Sequence, residues 1–490
     1  MTWNRCVSVR IFVCLGLLLA ASSCSSTEML DESRQATGVK IGEVTDTSAI
    51  IWTRVTEKAE RRADGIVRRD RGKRAMPPES LDPNDLEGSV PGADGQVRVR
   101  YSTNESALSD PESAEGVVVT SWTPSRSDND YTNRFYLENL DPATIYYFAT
   151  DTRSLDTSVR HKPLRGQFKT APAANEYADV TFTVITGQMY KDADHADGFM
   201  AYDSMAALDP KFIIPTGDTV YYDSDDPTAT TIDLARYHWH RMYSYRKLID
   251  FHLKVPTYFE KDDHDSYVDD GWPGLTRDFM GDFNFEQGLQ VYAEQAPMSD
   301  LPYRTFRWGK GLQVWIVEGR DFRSPNDMPD GPDKTVWGAR QKQWLKDTLL
   351  ASDADWKVLI SPTPIVGPDR STKKDNHANV TFQHEGEEMR SFFQEHLPDN
   401  LFLACGDRHW QYHSIHPESK VHEFSSGPIS DSHAGGTPGD NDEYHQFHRV
   451  MGGYLSVQAK KAGDESTIAF RLHGVDGNVE YEYTRSTPVN

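Results

Sequence analysis

Three short polar strings, each placed directly after an apolar run, constrain this 490-residue chain more than any other feature. They are Gly217-Asp218-Thr219-Val220-Tyr221-Tyr222-Asp223, Asp262-Asp263-His264-Asp265 and Gly406-Asp407-Arg408-His409. The apolar runs predict buried strands, so each string should lie where a strand ends. Carboxylate, phenol and imidazole groups at neighbouring strand ends can be gathered around one pair of metal ions.

The length of the chain and the pattern along it predict two domains of different class. A chain of this length exceeds what one hydrophobic core usually serves. Short alternating runs predict half-buried antiparallel strands, and hence an all-β sandwich over residues 37–172. A turn before an aromatic strand, at Leu140 to Tyr147, is typical of fibronectin-III-like domains. Residues 173–490 alternate strands with helices and then return to strands, which predicts an α/β domain of four layers in the order α/β/β/α.

Individual strands and helices of the second domain can be predicted from the same pattern. The predicted strands up to the third string are Val180 to Thr186, Lys211 to Thr216, Val255 to Phe259, Leu312 to Val317, Lys357 to Ser361 and Leu401 to Cys405. The predicted helices include Gly198 to Leu208, Thr231 to Leu248, Trp337 to Leu350 and Gly386 to His396. Each string therefore follows a predicted strand.

The first residues of the chain resemble a targeting segment. Two arginines precede an apolar run from Ile11 to Ala21, which is shorter than the ~20 residues needed to cross a bilayer, so residues 1–24 are predicted to be a signal peptide. Small residues before Cys24 resemble a bacterial lipobox, which predicts lipidation of Cys24 and a polar tether over residues 25–36. We therefore expect an exported protein, as a periplasmic or cell-surface lipoprotein or, without lipidation, a secreted protein.

The net charge of -23, from 75 acidic and 52 basic residues, argues against two kinds of partner. Such a charge repels nucleic acid and anionic membranes, so we predict no nucleic-acid-binding surface and contact with a membrane only through the lipid anchor. If Cys24 is lipidated and the signal peptide removed, Cys405 has no disulfide partner. The sequence does not indicate an oligomeric state.

The first two strings carry groups suited to binding metal and moving a proton. Asp218 can bridge two cations with its two oxygens, and Tyr221 can add a phenolate, which favours a hard ion such as ferric iron. Asp263 can bind the second metal, and His264 can serve as a general acid toward the leaving alkoxide. Asp265 would then hold the other ring nitrogen of His264.

The third string adds two more ligands. Asp407 and His409 are two residues apart, so their side chains point the same way in an extended segment and both can bind metal. Arg408 points elsewhere unless its loop bends.

The order of the three strings resembles the calcineurin-like metallophosphoesterases and, within them, the PhoD-like alkaline phosphatases and phosphodiesterases. The resemblance runs from residue 38 to about residue 485, because Gly38 to Gly42, Ala49 to Arg54 and Trp337 to Leu345 also look like segments of that family. It implies a four-layer α/β/β/α metallophosphoesterase domain after the sandwich. It also implies a phosphate ester substrate, mono- or diester, hydrolysed by a hydroxide held between two metal ions.

The resemblance implies a role for each matching residue. Asp218 would bridge the two metals. Tyr221 and His409 would bind Fe(III), and Asp263 and Asp407 would bind the partner ion. An oxygen ligand at Asp407 favours a hard partner such as Ca(II), with Mn or Zn as alternatives.

One departure from the family lies just after the first predicted strand of the second domain. The family usually has a Cys-Gln pair there that supplies the first iron ligand, whereas this chain has Gly187-Gln188. Because Gly187 offers no side-chain ligand, Gln188, water or a nearby group would have to replace it. The nearby groups are Asp192, Asp194, His195 and Asp197.

Several further residues are candidates for binding substrate, and Gln188 is one of them. Arg320 and Arg323 follow a strand and can clamp phosphate oxygens, although an internal ion pair with a neighbouring carboxylate is equally consistent with the sequence. Arg408 can approach substrate if its loop bends, and His377 can contact substrate or remain a solvated loop histidine. The histidines after the third string that can line the site are His413, His433, His445 and His448.

Two rival functions remain open on the sequence. The missing ligand at Gly187 would leave a degenerate metal site, and the protein would be a surface binding module whose β-sandwich holds a polymer. Alternatively, the scaffold would hydrolyse another ester, such as a sulfate on a carbohydrate, although the Cys-x-Pro-x-Arg motif of common sulfatases is absent. Metal stoichiometry separates the enzyme, which needs two ions per chain, from the binding module.

Overall fold

The computed structural model describes residues 1, 28–29, 31–68, 76–109, 115–156 and 159–489. The predicted signal peptide after Met1, including Cys24, lies outside the described residues, so export and lipidation stay predictions. Within the described ranges, no helix is both long enough and apolar enough to cross a membrane.

The first part of the chain forms two β-sheets that share one buried core. Its strands are β1 (Glu28–Met29), β2 (Val39–Gly42), β3 (Ala49–Arg54), β4 (Gly95–Ser102), β5 (Val118–Val119), β6 (Thr123–Ser125), β7 (Thr132–Leu137), β8 (Ile145–Ser154), β9 (Val159–Arg160) and β10 (Leu164–Lys169). The larger sheet has the order β1-β9-β8-β4-β5, with β10 paired to β8 and β6 to β4, and the smaller sheet has the order β2-β3-β7. Val39, Ile51 and Phe135 of the smaller sheet belong to one buried cluster with Val97 and Phe148 of the larger sheet.

Two strands of the smaller sheet, β2 and β3, are buried on both faces, whereas the alternating pattern predicted half-buried strands. Every residue of β3 is buried. On the face away from the shared core, Lys40 Nζ donates to the Gln295 carbonyl (2.8 Å), and Trp52 Nε1 donates to the Glu294 carbonyl (2.8 Å). Both carbonyls belong to the end of a helix in the second part of the chain. The small sheet therefore joins the two parts of the molecule.

The second part of the chain forms two further sheets. Its strands are β11 (Val180–Ile185), β12 (Phe212–Pro215), β13 (Arg304–Trp308), β14 (Leu312–Ile316), β15 (Trp356–Ser361), β16 (Leu401–Cys405), β17 (Gln411–Ile415), β18 (His422–Ser426), β19 (His445–Arg449), β20 (Tyr454–Ala462), β21 (Glu465–His473) and β22 (Val479–Pro488). One sheet has the order β12-β11-β20-β21-β22 and the other the order β13-β14-β15-β16-β18-β17-β19. Phe182, Phe212 and Phe470 of the first sheet share a buried cluster with Ile360 and Phe402 of the second. The protein is therefore a mixed α/β protein with several sheets.

The α-helices of the described chain all lie in this second part. They are α1 (Ala201–Ala206), α2 (Ile232–Tyr243), α3 (Arg246–His252), α4 (Phe285–Gln295), α5 (Gly338–Ala351) and α6 (Gln383–His396). Thr231 begins α2 as its cap, because its side chain accepts a hydrogen bond from the Leu234 N–H. Asn284 and Gln287 form a capping box at the start of α4.

Two predicted elements differ from the structure. The predicted helix from Thr231 to Leu248 is two helices, because Tyr245 between them has an extended backbone (φ -65°, ψ 135°). The predicted strand from Val255 to Phe259 is wrong, since this segment forms an isolated bridge between Thr257 and Ile213 rather than a strand. The segment still runs beside β12 and delivers the second string to the end of that strand.

Parallel pairing aligns the strand ends that precede the strings. Ile185 pairs with Pro215 at the ends of β11 and β12. Ser361 pairs with Cys405 at the ends of β15 and β16. The first and third strings therefore leave their sheets from aligned carboxyl ends, where open α/β sheets bind ligands.

Candidate metal centre

The three polar strings meet at these strand ends, and two glycines allow their close approach. A Cβ atom at Gly217 would lie 2.3 Å from the Cβ of Asp262, so the first string packs against the second. A Cβ atom at Gly406 would lie 2.5 Å from Thr216 Oγ1, so the third string packs against the strand that precedes the first. Gly217 also has a φ of +91°, which L side chains rarely adopt. Glycine is therefore required at both positions.

Asp218 belongs to two groups of potential metal ligands. One group contains Asp218, Asp263 and His264, and the other contains Asp218, Asp262 and Asp407; within each group the ligand atoms lie within 4.8 Å of one another. Because Asp218 is common to both, its carboxylate can bridge two ions. Asp262 lies in the second string but was not predicted as a ligand.

The chemistry of this donor set fits a pair of metal ions. Asp218 Oδ1 and Asp262 Oδ2 are buried and accept no hydrogen bond from the described residues. Burial raises the pKa of Asp218 to about 6, with a further contribution from the Asp263 carboxylate that His264 opposes. Buried polar oxygens without partners are costly, and hard cations would satisfy them. These residues can therefore hold metal.

Tyr221 brings two histidines to Asp218. The Tyr221 hydroxyl donates to Asp218 Oδ2 (3.1 Å) and lies 3.4 Å from His409 Nε2 and 2.9 Å from His433 Nε2. His409 Nε2 lies 3.7 Å from Asp218 Oδ2. Burial, with the nearby His433 and Arg408 side chains, lowers the pKa of His409 well below its usual value, so its imidazole is neutral and can bind metal. The structure thus brings Asp218, Tyr221 and His409 together.

His433 and Asp192 also reach this site, although the sequence marked each only as one of several candidates. His433 Nδ1 lies 2.7 Å from Asp192 Oδ2. The two residues end short 3-10 helices, Tyr190–Asp192 and Asp431–His433. Ser430 Oγ ties the helices together by donating to the Asp192 carbonyl (2.7 Å). No sequence pattern relates these two segments, so only the fold reveals their contact.

The other residues that the sequence marked as possible site residues near Gly187 or after the third string have different partners. His195 Nδ1 accepts a hydrogen bond from the Asp197 N–H (3.0 Å), and its side chain is 43% exposed. Asp194 Oδ1 accepts a hydrogen bond from the Met200 N–H (2.8 Å). The remaining histidines after the third string contact other groups: His413 contacts Tyr481, His445 contacts Asp440 and His448 contacts Thr437.

His264 is held by Asp223, and the prediction that Asp265 holds it is wrong. His264 Nδ1 lies 2.6 Å from Asp223 Oδ1. The oxygens of Asp265 instead accept the backbone N–H groups of Asp262 (2.7 Å) and Thr219 (3.1 Å). Asp265 therefore ties the first string to the second, and burial raises its pKa to about 8.

The charge of His264 suits a proton donor. Burial alone would lower its pKa, but the carboxylates of Asp223, Asp263 and Asp218 outweigh burial and hold the pKa well above its usual value. The pKa of Asp223 is lowered, because its pairing with His264 outweighs burial. The pair is therefore an imidazolium and a carboxylate, and the Nε2–H group can donate to a substrate oxygen.

Arg320 and Arg408, proposed to bind phosphate, pair with carboxylates of the protein. Arg320 is fully buried, and it pairs with Asp262 through Nε (2.5 Å) and with Asp375 through Nη2 (3.0 Å). Arg408 pairs with Asp369 through Nη1 (2.5 Å). The structure thus favours the internal ion pair that the sequence left open for Arg320, although with different carboxylates.

The three remaining candidates, Arg323, His377 and Gln188, have different partners. Arg323 is buried and donates through Nη1 to two backbone carbonyls. His377 is buried and pairs with Glu385 (3.1 Å), so the structure does not bring it to the site. The backbone N–H of Gln188 donates to the Asp218 carbonyl (2.8 Å), which places Gln188 beside the shared carboxylate.

Comparisons with known proteins show the family of the chain. The family model described as PhoD-like phosphatase matches residues 182–465, and the model of the PhoD-like phosphatase N-terminal domain matches residues 20–172. The chain belongs to the PhoD-like phosphatase family, which confirms the resemblance of the three strings. It is 25% identical over 262 residues to alkaline phosphatase D of Bacillus subtilis (strain 168), across 45% of this chain and 43% of that protein. The chain thus aligns with less than half of that relative's length.

Two solved structures share the fold over most of the chain. A structure of PhoD has a TM-score of 0.69 at 17% identity and covers 94% of this chain and 91% of its own. Purple acid phosphatase PPD1 from yellow lupin (Lupinus luteus) has a TM-score of 0.57 at 12% identity. The match covers 91% of this chain and 73% of the lupin chain. At these identities the likeness shows the fold alone.

Proposed function

We propose that this chain is an exported, metal-dependent phosphoesterase of the alkaline phosphatase D type. The observation that carries the proposal is the position of Asp218, which is common to two groups of potential ligands and lies beside Tyr221 and His264. Membership of the PhoD-like phosphatase family supports it. The proposed substrate is a phosphate mono- or diester.

The residues present would hold two metal ions around Asp218. Tyr221 and His409 would bind the first, for which the phenolate favours Fe(III). Asp263 and Asp407 would bind the second, and Asp262, which shares a group with Asp218 and Asp407, is a further candidate. Oxygen ligands there favour Ca(II), with Mn or Zn as alternatives. When bound, such ions neutralise phosphate oxygens and lower the pKa of water, which supplies a nucleophile.

The chain's own residues would orient the substrate and move a proton. His264 would donate its Nε2 proton to the leaving alkoxide as the ester bond breaks. Asp223 would keep the imidazole protonated and in place, as their 2.6 Å contact suggests. Arg320 would fix the second string through its ion pair with Asp262.

The proposal extends to architecture and location. The two sheets of the second part would form the inner layers of a four-layer α/β/β/α domain over residues 173–490, which is supported by their shared buried cluster. The two sheets of the first part would form a fibronectin-III-like sandwich over residues 37–172. A signal peptide with lipidation at Cys24 would place the enzyme in the periplasm or at the cell surface.

Turnover is expected to depend on metal. Protein stripped with a chelator should hydrolyse neither an aryl phosphate monoester nor the matching diester, because no nucleophile is formed. Iron with calcium, or manganese or zinc, should restore turnover of at least one ester. Initial rates across this metal series, with metal content measured on the same samples, check the prediction. If protein that has bound two ions per chain turns over neither ester, the proposed function is wrong.

The His264→Asn variant is expected to lose most activity on esters with poor leaving groups. General acid catalysis contributes about 10²-fold to 10⁴-fold, and a basic alkoxide needs the proton whereas a nitrophenolate does not. The loss should therefore approach this range for an alkyl phosphate and be small for nitrophenyl phosphate. Rates of the variant and the wild type over a series of esters, at equal metal content, check this.

A control separates proton donation from metal binding by the same residue. The Asp223→Asn variant keeps the imidazole of His264 but removes the carboxylate that holds it. Its activity should therefore also fall most for esters with poor leaving groups, but by less than the activity of His264→Asn. A loss by His264→Asn that is equal for all esters, together with reduced metal content, would show that His264 is a ligand rather than the acid.

A further inference from the structure

Gly187 faces the two imidazoles near Tyr221. A Cβ atom added at Gly187 would lie 3.2 Å from His433 Cδ2 and 3.3 Å from His409 Cδ2. A side chain at this position would therefore enter the space that these two rings now line. Gly187 cannot donate a ligand there, and His433 is the group that stands in that space.

The contacts of His433 place its Nε2 among the donors of the proposed first metal. Tyr221 Oη lies 2.9 Å from His433 Nε2, 3.1 Å from Asp218 Oδ2 and 3.4 Å from His409 Nε2. The rings of His409 and His433 have centroids 4.1 Å apart. Two imidazole nitrogens and one carboxylate oxygen thus lie within 3.4 Å of the Tyr221 hydroxyl oxygen.

Asp192 holds the His433 ring in the form that can bind metal. Because Nδ1 faces Asp192 Oδ2 at 2.7 Å, it carries the proton and donates it to the carboxylate. Nε2 then presents its lone pair toward Tyr221. Metal-bound histidines commonly show this arrangement, in which a carboxylate fixes the tautomer and the ring orientation.

We propose that His433 is a ligand of the metal bound by Asp218, Tyr221 and His409, in place of the ligand that Gly187 lacks, and that Asp192 is its positioning residue. The proposal rests on the proposed function, since it assumes that the site holds metal. With His433 as a ligand, this metal site would consist of nitrogen and oxygen ligands only. Such a set favours harder ions than one with a thiolate.

A measurement on the unmodified protein tests the ligand count directly. Pulsed EPR of protein loaded with Fe(III) and Ca(II), with ¹⁵N in its histidines, should show two imidazole nitrogens bound to iron. One bound nitrogen would overturn the proposal, because His409 alone would then account for it. This test does not depend on whether a variant folds.

Metal affinity of variants provides the second test, with Mn(II) as the probe. His433→Ala should weaken binding at one of two sites by more than about 100-fold. Asp192→Asn should weaken it by about 10-fold to 100-fold and still show two bound nitrogens. His195→Ala is the matched control, since His195 lies near Asp192 in sequence but outside the site, and it should bind like the wild type.

The possible results separate this inference from the proposed function. Two ions bound by folded His433→Ala with wild-type affinity would overturn the role of His433 and leave the phosphoesterase proposal intact. No metal bound by the wild type would contradict the proposed function as well. Unfolding temperatures of the metal-free proteins, measured in parallel, show whether each variant is folded.

Discussion

The Asp218→Asn variant is expected to lose at least about a thousandfold of the proposed metal-dependent turnover, and yet to unfold at a higher temperature than the wild type when both are metal-free. The two effects have one cause. The carboxylate of Asp218 is buried among other carboxylates, and its Oδ1 accepts no hydrogen bond from the described residues. Bound ions would offset the charge of this carboxylate. Without ions, its burial raises its pKa to about 6 and opposes folding at neutral pH.

A matched control for this variant is Asp225→Asn. Asp225 lies on the same loop and is also buried, but it pairs with Arg241 (3.0 Å) and accepts the Tyr190 N–H (3.1 Å). Burial raises the pKa of Asp225 too, but Arg241 opposes this shift. Replacement of Asp225 should lower the unfolding temperature, because the buried Arg241 guanidinium loses its carboxylate, and should leave two metal ions bound. Rates on an aryl phosphate, metal content and calorimetry of the stripped proteins check both variants. Turnover by Asp218→Asn within about tenfold of the wild type would contradict the bridging role.

The sequence alone singles out the candidate ligands that follow apolar runs. Asp218 and Asp407 follow the ends of β12 and β16, where open α/β sheets bind ligands, and Asp263 follows an apolar segment that runs beside β12. The partner of His264 could not be predicted in this way. Asp223 and Asp265 are both carboxylates near it, and only the path of the loops decides which one reaches the ring.

Contacts between distant loops decide which of the candidates named from the sequence reach the site. His433 and Asp192 lie in short turns with no periodic pattern, and their contact exists only after the sheets have brought those turns together. Arg320 was predicted to bind phosphate or to form an ion pair, and its burial decided between the two. Burial depends on what packs above a residue, which local sequence does not specify.

Local sequence also failed to specify one part of the fold, the covering of the smaller sheet. Alternation predicted the strands of the first part because one face of each sheet lines the core. It also predicted that the other face of β3 would be exposed. The end of α4 covers that face instead, through the contacts of Lys40 and Trp52. Neither helix nor strand periodicity carries information about packing between two parts of a chain.

The contact between the two parts of the chain has a buried ion pair at its centre. Asp130, which precedes β7, pairs with Arg54 of β3 (3.0 Å) and with His240 of α2 (2.5 Å). It also accepts a hydrogen bond from Gln295 of α4 (2.6 Å). Although burial opposes ionisation, Arg54 and His240 hold the pKa of Asp130 well below its usual value. This carboxylate therefore links both parts as a charged group.

Asp130→Ala is expected to lower the free energy of unfolding by about 3 to 5 kcal/mol, because it leaves the buried Arg54 guanidinium without its carboxylate. Asp128→Ala, an exposed change two residues away, should alter it by less than about 0.5 kcal/mol. Burial and Arg54 lower the pKa of His240 to about 4 from 6.5. A lowered pKa costs stability as pH falls below 6.5, so denaturant unfolding should be compared above that pH, where His240 is neutral in both states. A cost similar to that of Asp128→Ala would show that the two parts are held together by their apolar contacts and not by this carboxylate.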